Sequence, residues 1–348
     1  MVHSSRSRSP ATRSGGGGPE TYESVRHWAK RMMKEGRDGV NSEHMAQIRN
    51  QTTIYNFIQN QDRNRFQNIV LNDKTRVVLP KFKKETDTDY IHASWVYRKQ
   101  YILTQAPIHG TELEFWRMVY HCNVSVIVCL NQTGETGEKP YWPTKIGKNM
   151  KFGGRFEVKN KVDKKAAAAQ PANPNYTETD LLLTAREGKK ESRRICHMHY
   201  HSWPDNDLPD TANLLRFMQD VWAQQVAVEA TMTTAGGGGA PPPGSTASVI
   251  LVHCVSGARK SGTFASVSIS CRQLSQEGDT DVPKVVNHVQ KQRSSSVRLP
   301  SHYLFIYEAA TLFAKQKNLL PPAHKKKYTF APRAKGQQQA KLTVSQQH

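Results

Sequence analysis

The sequence predicts a single α/β domain, a central twisted mixed sheet flanked by helices. Three observations support this fold class. The 348 residues are 37% hydrophobic, which is enough to bury one sizeable core. Two short, largely apolar and β-branched runs, at 124–130 and 248–253, are typical of fully buried strands. Helical and strand patterns alternate along the chain, as they do in α/β domains.

The other elements follow from local patterns in chain order. Apolar residues with helical spacing first occur between 22 and 32, and Pro209 with Asp210 suits the start of a later helix. Strands are predicted at 76–79, 90–96, 99–104, 180–184 and 195–202. Helices are predicted at 112–121, 211–226, 262–274 and 301–314.

Low-complexity segments surround and interrupt this domain, which covers residues 21–315. Residues 1–20 form a basic tail and 316–348 a Lys-rich tail, and both lack the apolar surface needed for order. We expect both tails to be disordered. Two further stretches, at about 161–175 and 231–248, predict surface insertions, which cost little closure entropy.

The formal net charge of +20 comes from 49 Lys and Arg against 29 Asp and Glu, and half of the excess lies at the two ends. Such a balance suits nucleic acid, an acidic membrane surface, or acidic or phosphorylated peptides. The tails lack the interleaved aromatic residues typical of nucleic-acid binding. We therefore expect an acidic partner for the tails rather than nucleic acid.

The sequence pattern favours an intracellular, cytoplasmic protein. Its longest apolar stretch, 124–130, is far shorter than the roughly 20 residues of a transmembrane helix, and residues 1–20 resemble no secretory signal. Five cysteines without paired metal-ligand spacing predict reduced thiols. His197, His199 and His201 alternate along a strand without a cysteine or carboxylate at ligand spacing, so they predict a polar strand face. We expect no metal and no cofactor.

The segment that follows the strand at 248–253 carries the chemistry. A tight loop and then a helix come directly after this strand, so loop N–H groups and the helix dipole can hold an anion. The same field lowers a thiol pKa, which makes Cys254 a candidate thiolate nucleophile. A lone cysteine here would more simply be a buried residue ending a core strand. The flanking residues favour the nucleophile: Val255, Ser256, Gly257, Ala258, Arg259, Lys260, Ser261 and Gly262.

A second element is the sequence Trp203-Pro204-Asp205, where a strand leads into a Pro-rich loop. A carboxylic acid on a mobile loop can protonate a leaving group and later accept a proton from water. Alone, such an aspartate is more often a turn or helix-cap residue.

Together these residues resemble the tyrosine-specific protein phosphatases. Six segments match in order, at 64–79, 89–94, 101–107, 115–128, 199–205 and 252–264, so the resemblance covers roughly residues 22–315. It implies that Cys254 attacks the phosphorus of phosphotyrosine, that Asp205 protonates the departing tyrosine, and that the substrates are phosphotyrosine proteins. It also implies that His253 lies beside the nucleophile, that Ser261 stabilises the leaving thiolate, and that residues 255–260 bind phosphate. Phe66, Asn68, Trp203 and Pro204 would line the substrate pocket.

The sequence departs from the family pattern at the phosphate-binding arginine, whose position is occupied by Lys260. Arg259 stands where the family commonly has glycine. A planar guanidinium holds two phosphoryl oxygens, whereas lysine offers a point charge. Losing one preorganised donor costs about 2.7–4 kcal/mol, or roughly 10²–10³ in turnover. Arg298 and His302 also replace the two glutamines of the family's water-positioning loop, so the second chemical step should be impaired.

Two functions remain open at this point. The first is a slow protein tyrosine phosphatase that retains Cys254 and Asp205. The alternative is a pseudophosphatase that binds or shields phosphotyrosine without releasing phosphate, as Lys260 and Arg298 suggest.

Overall fold

A nine-stranded mixed sheet organises the part of the chain that the structure, a computed structural model, describes. That part comprises residues 53–320 except 82–86, 133, 138, 162–173, 187–189, 206 and 235–247, together with residues 33, 34, 36, 38 and 39. The predicted helix between 22 and 32, the tail at 1–20, the tail beyond 320 and most of both predicted insertions lie outside the described residues.

The sheet has the strand order β1-β2-β3-β9-β4-β8-β7-β6-β5. Its four middle strands, β3, β9, β4 and β8, run parallel to one another, and the strands on either side of them are antiparallel. The strands are β1 (Arg76–Val78), β2 (Tyr90–Val96), β3 (Tyr101–Gln105), β4 (Val124–Cys129), β5 (Asn149–Phe152), β6 (Phe156–Lys161), β7 (Tyr176–Ala185), β8 (Glu191–Tyr200) and β9 (Val249–Cys254).

Six α-helices accompany the sheet among the described residues between 53 and 320. They are α1 (Tyr55–Gln59), α2 (Glu112–His121), α3 (Thr211–Thr234), α4 (Arg259–Glu277), α5 (Val282–Gln292) and α6 (Pro300–Gln316). Apolar residues of α3, α4, α5 and α6 form one core cluster, on one face of the sheet. Phe115 and Trp116 of α2 belong to the other cluster, on the opposite face. No helix in the described part of the chain is long and apolar enough to cross a bilayer.

The predicted α/β fold is confirmed, and every predicted strand within the described residues is present. The runs at 124–130 and 248–253 are β4 and β9, which are buried at every position because helices cover both faces of the sheet centre. Helix α3 continues to Thr234, past the predicted end at 226 and into the first four residues of the predicted insertion at 231–248.

Sequence patterns missed α1, α5, β5 and β6. Strands β5 and β6 carry several Lys and Asn residues at the far edge of the sheet, where one side of each strand faces solvent. Helix α5 had a recognisable signal, because the Asp281 side chain caps it by accepting from Lys284 N at 2.9 Å.

Candidate functional site

Strand β9 places Cys254 at the carboxyl end of a parallel strand in the middle of the sheet. The residue is 3% exposed. Its carbonyl accepts from Ala106 N at 2.9 Å, just beyond β3, and from Gly257 N at 3.2 Å. Its Sγ lies 3.8 Å from Ser256 Oγ. The sheet therefore fixes the position of the thiol, and the loop folds back over it.

Glycine is required at position 257 by the close approach of β3. Gly257 has a φ of +66°, which is costly for any residue with a side chain. A Cβ atom here would lie 2.1 Å from the carbonyl carbon and oxygen of Thr104. The loop and the end of β3 are thus in backbone contact.

Arg293, the residue after α5, supports the loop from behind. Its Nε donates to Gly257 O at 2.9 Å, and its Nη2 donates to Ser256 O at 3.0 Å and to His92 Nδ1 at 3.0 Å. His92 Nε2 in turn donates to Ile69 O at 2.8 Å. Burial lowers the pKa of Arg293 to about 10, so it stays charged at neutral pH, while burial and this guanidinium lower the pKa of His92 to about 3.

These contacts fix the loop backbone through two of its carbonyls, those of Ser256 and Gly257. Within the loop, Gly257 N donates to Cys254 O at 3.2 Å and Ala258 N donates to Ser256 Oγ at 3.3 Å, and helix α4 begins at the next residue. A tight loop that leads into a helix N-terminus is suited to an anion, and we call residues 254–258 the cradle.

Lys260 lies among acceptors and is 2% exposed. Its Nζ is 3.1 and 3.3 Å from the two Glu135 carboxylate oxygens, 3.1 Å from Asp205 Oδ1 and 3.4 Å from Trp203 O. An ammonium group has three N–H donors, and these four acceptors saturate them. We call Lys260, Glu135 and Asp205 the lysine cluster.

The loop that carries Asp205 is attached to the first turn of α4 at a second point. Arg259 Nη2 donates to Asp205 O at 2.6 Å. Trp203 is fully buried, whereas Pro204 is exposed and the Asp205 side chain is 48% exposed. The loop is therefore held by a buried indole and by the two basic residues that depart from the family pattern.

The two carboxyl groups of the lysine cluster have pKa values shifted in opposite directions. A hydrogen bond with the Glu135 carboxyl, with further help from Lys260, lowers the pKa of Asp205. Burial and the same hydrogen bond raise the pKa of Glu135. Of the two carboxyl groups, Glu135 is therefore the first to take up a proton as the pH falls, and Asp205 is the one that keeps its charge to lower pH.

A buried network lies behind Cys254. The Tyr141 hydroxyl is 2.6 Å from His253 Nε2 and 2.8 Å from His197 Nε2. Burial lowers the pKa of His253 to about 3 and the pKa of His197 well below its usual range, so both rings are neutral. Cys129 Sγ lies beside the same two imidazoles. This brings a cysteine to the alternating histidines, which had predicted only a polar strand face.

The remaining predicted site residues occupy two environments. Ser261 is fully buried, and its hydroxyl has no hydrogen-bond partner among the described residues. His302 is buried, and its Nδ1 lies 2.9 Å from Thr263 Oγ1. By contrast, three predicted pocket residues are on the surface: Phe66, Asn68 and Arg298.

Sequence reasoning missed the residues that hold the predicted ones in place. Glu135 and Tyr141 lie in a segment without a clear periodic pattern, and Arg293 lies 39 positions from Cys254. Cys129 was visible only as one residue of a buried strand. Their proximity to the site is a product of strand order, which no local spacing reveals.

A comparison with known protein families assigns the chain to one of them. A protein-tyrosine phosphatase family model matches residues 60–312, well over half of the chain and the whole of the site described above. This chain belongs to the protein-tyrosine phosphatase family.

Individual relatives agree with this assignment. Tyrosine-protein phosphatase non-receptor type 9 of Rattus norvegicus is 31% identical over 273 residues, which cover 76% of this chain and 44% of that protein. Tyrosine-protein phosphatase non-receptor type 7 of Mus musculus is 30% identical over 268 residues, covering 75% and 65%. Receptor-type tyrosine-protein phosphatase R of Mus musculus is 30% identical over 294 residues, covering 80% and 40%. The chain thus spans less than two thirds of the length of these relatives.

Proposed function

We propose that this phosphatase-family chain recognises phosphotyrosine in proteins and dephosphorylates it slowly, through a phosphocysteine on Cys254. The observation that carries the proposal is the contrast between the supported Cys254 loop and the saturated Lys260. The anion cradle of residues 254–258 is built and supported, whereas Lys260, at the position of the family's phosphate-binding arginine, is saturated by Glu135, Asp205 and Trp203 O.

In the first step, Cys254 Sγ attacks phosphorus and the bond from phosphorus to the tyrosine oxygen breaks. Loop N–H groups hold the phosphoryl oxygens, and Asp205 gives its proton to the departing phenolate. The lowered pKa of Asp205 makes its acid form scarce at neutral pH. The first step therefore proceeds from a minor protonation state.

In the second step, water attacks the phosphocysteine and Cys254 leaves as a thiolate, while Asp205 accepts the proton from the water. The buried Ser261 hydroxyl, which has no other partner among the described residues, supports a role in stabilising that thiolate. Arg298 is exposed and the His302 ring lies against Thr263, so neither reproduces an amide that positions water. We infer that this step is also weakened.

The slow rate has a specific physical origin. A phosphoryl group can gain an N–H of Lys260 only if Glu135, Asp205 or Trp203 O gives it up. An arginine would bring five donors and could serve the carboxylates and the phosphate together. The missing donor costs about 2.7–4 kcal/mol of transition-state stabilisation, which is roughly 10²–10³ in rate.

A second candidate is a module that captures phosphotyrosine and does not release phosphate. It is favoured by the same saturation of Lys260 together with the exposed Arg298, because these weaken both steps while leaving the cradle intact. In this case the chain would shield phosphotyrosine from other enzymes.

We place either activity inside the cell, in the cytoplasm. All five cysteines are free thiols in the structure, and a thiolate nucleophile needs a reducing compartment. We further propose that the Lys-rich segment after residue 316 contacts an acidic partner, on the strength of its charge.

The test is phosphate release from a phosphotyrosine peptide by the purified full chain, with Cys254→Ser as the blank. Peptide binding is measured in parallel on Cys254→Ser. Release above the blank, with acid-stable phosphate trapped on Cys254, is expected. Binding without release would replace the enzyme by the capture module, and the absence of both would overturn the two candidates together.

A further inference from the structure

Three neighbouring strands bring a thiol and two imidazoles together in the core. Cys129 ends β4, His253 lies beside it on β9, and His197 lies on β8 opposite Ile127 of β4. Cys129 Sγ and one ring nitrogen from each histidine lie within 4.8 Å of one another, and all three residues are at most 2% exposed. The cluster shares no residue with the lysine cluster, but it adjoins the Cys254 loop, because Cys129 lies near enough to Cys254, Glu135 and Lys260 to interact with their charges.

This donor set is one that zinc prefers. Zn²⁺ binds thiolate sulfur at about 2.3 Å and imidazole nitrogen at about 2.0–2.1 Å in tetrahedral geometry. Those bonds imply separations of roughly 3.4–3.6 Å between ligand atoms. The present spacing therefore closes around an ion with side-chain movements of about 1 Å or less.

The hydrogen bonding of the two rings is a second and independent observation. Both Nε2 atoms contact one partner, the Tyr141 hydroxyl. Both Nδ1 atoms are buried and have no partner among the described residues. A buried nitrogen without a partner is costly, and an ion would supply one. Tyr141 would then hold the far side of each ring and fix its orientation toward the ion.

Two further histidines connect the cluster to the surface. The His199 ring lies 6.5 Å from His197, and the His201 ring lies 6.0 Å from His199. Both of these residues are half-buried. They provide successive ligands along which an ion can reach the core.

We propose that Cys129, His197 and His253 bind one divalent cation of the zinc class behind the Cys254 loop. Binding forms one metal–sulfur and two metal–nitrogen bonds, and the Cys129 thiol gives its proton to solvent. A water molecule completes the four ligands. The proposal does not depend on turnover.

Cobalt(II) is the direct probe, because a Co²⁺–thiolate bond has a charge-transfer absorption that a site of histidines alone lacks. The reduced full chain, freed of metal by a chelator, is titrated with Co²⁺. We expect saturation at one equivalent with this absorption, its loss on adding Zn²⁺, and a Zn²⁺-dependent rise in Tm. Cys129→Ala should lack the absorption and the Tm shift.

The controls separate this site from other thiols. Cys254→Ser and Cys271→Ser, which remove the candidate nucleophile and another buried cysteine, should both retain the absorption. If Cys129→Ala does not fold, His197→Gln takes its place and should weaken Co²⁺ binding at least tenfold. No thiolate absorption, absorption that survives Cys129→Ala, or absorption lost in Cys254→Ser would overturn the proposal.

Discussion

The Cys254 loop and the lysine cluster lie side by side, yet they are held by different means. The loop is fixed by backbone contacts: Gly257 against Thr104, and two carbonyls against the buried Arg293. The lysine cluster is fixed by charged side chains that satisfy one another, and its Asp205 is 48% exposed.

From this difference we expect substrate binding and turnover to respond differently to the departures from the family pattern. The loop backbone is held by Gly257 and Arg293 and not by residues 259 and 260, so we expect the cradle to tolerate the departures at these two positions. Charge stabilisation in the transition state depends on donors left over after structural needs are met, and Lys260 has none. We therefore expect phosphotyrosine recognition to be retained and the chemical steps to be slow.

Gly257→Ala disturbs the Cys254 loop, which is held by backbone contacts, and of the changes considered it should have the largest effect on stability and binding. The new Cβ collides with β3 and adopts a positive φ, so we expect the free energy of unfolding to fall by about 2–4 kcal/mol. Phosphopeptide binding, measured in the Cys254→Ser background, should be lost. Gly278→Ala is the matched control, because its φ of +74° is similar and nothing lies within 4 Å of its Cβ. Unchanged binding in Gly257→Ala would show that the cradle is not set by this contact.

The neutral histidines behind the loop should make stability depend on pH. His253 and His92 have a folded pKa of about 3 against 6.5 ordinarily, so between these values the unfolded chain binds more protons. The contribution of these histidines to the free energy of unfolding is then fully present above about pH 6.5. It falls as the pH drops, by about 1.4 kcal/mol per histidine per pH unit. Urea unfolding at several pH values measures the slope.

The contribution of one histidine can be isolated from this slope. His253→Gln should reduce it by about one histidine's share, whereas His109→Gln, at an exposed position, should leave it unchanged. If the free energy of unfolding depended equally on pH in His253→Gln and in the native chain, His253 could not be neutral and buried in the folded protein.

Arg259→Gln tests the region that is held by charged side chains, beside the lysine cluster. Of the changes considered, it should have the smallest effect, a shift of the pH–rate profile. It removes the bond to Asp205 O and a positive charge that helps lower the pKa of Asp205. The acid form of Asp205 then persists to higher pH, so the alkaline limb of the pH–rate profile should move to higher pH. A downward shift would mean that Asp205 is not the acid.

Much of the fold could be predicted because burial leaves a local signal. Strands β4 and β9 are apolar throughout since both faces are covered, and α4 follows its glycine-containing loop directly. Strand β6, by contrast, alternates buried and exposed residues with Lys159 and Lys161 on the outer face, and its polar composition concealed that pattern. Helix α5 was missed although Asp281 marks its start.

The site was predictable only where its residues are neighbours in sequence. The loop from Cys254 to Lys260 and the segment from Trp203 to Asp205 are contiguous, so their chemistry could be inferred. The partners of these segments come from distant positions: Glu135 reaches Lys260 across 125 residues, and Arg293 reaches Gly257 across 36. Charge and composition carry no information about such pairs.

In the proposed mechanism, the lysine at 260 limits turnover in an otherwise formed site. The most direct test is single-turnover phosphate release by the double variant Lys260→Arg, Arg259→Gly beside the native chain, each with its Cys254→Ser blank. We predict that the rate rises by roughly 10²–10³. A double variant that binds the phosphopeptide but releases phosphate no faster than the native chain would show that the lysine at 260 does not limit turnover.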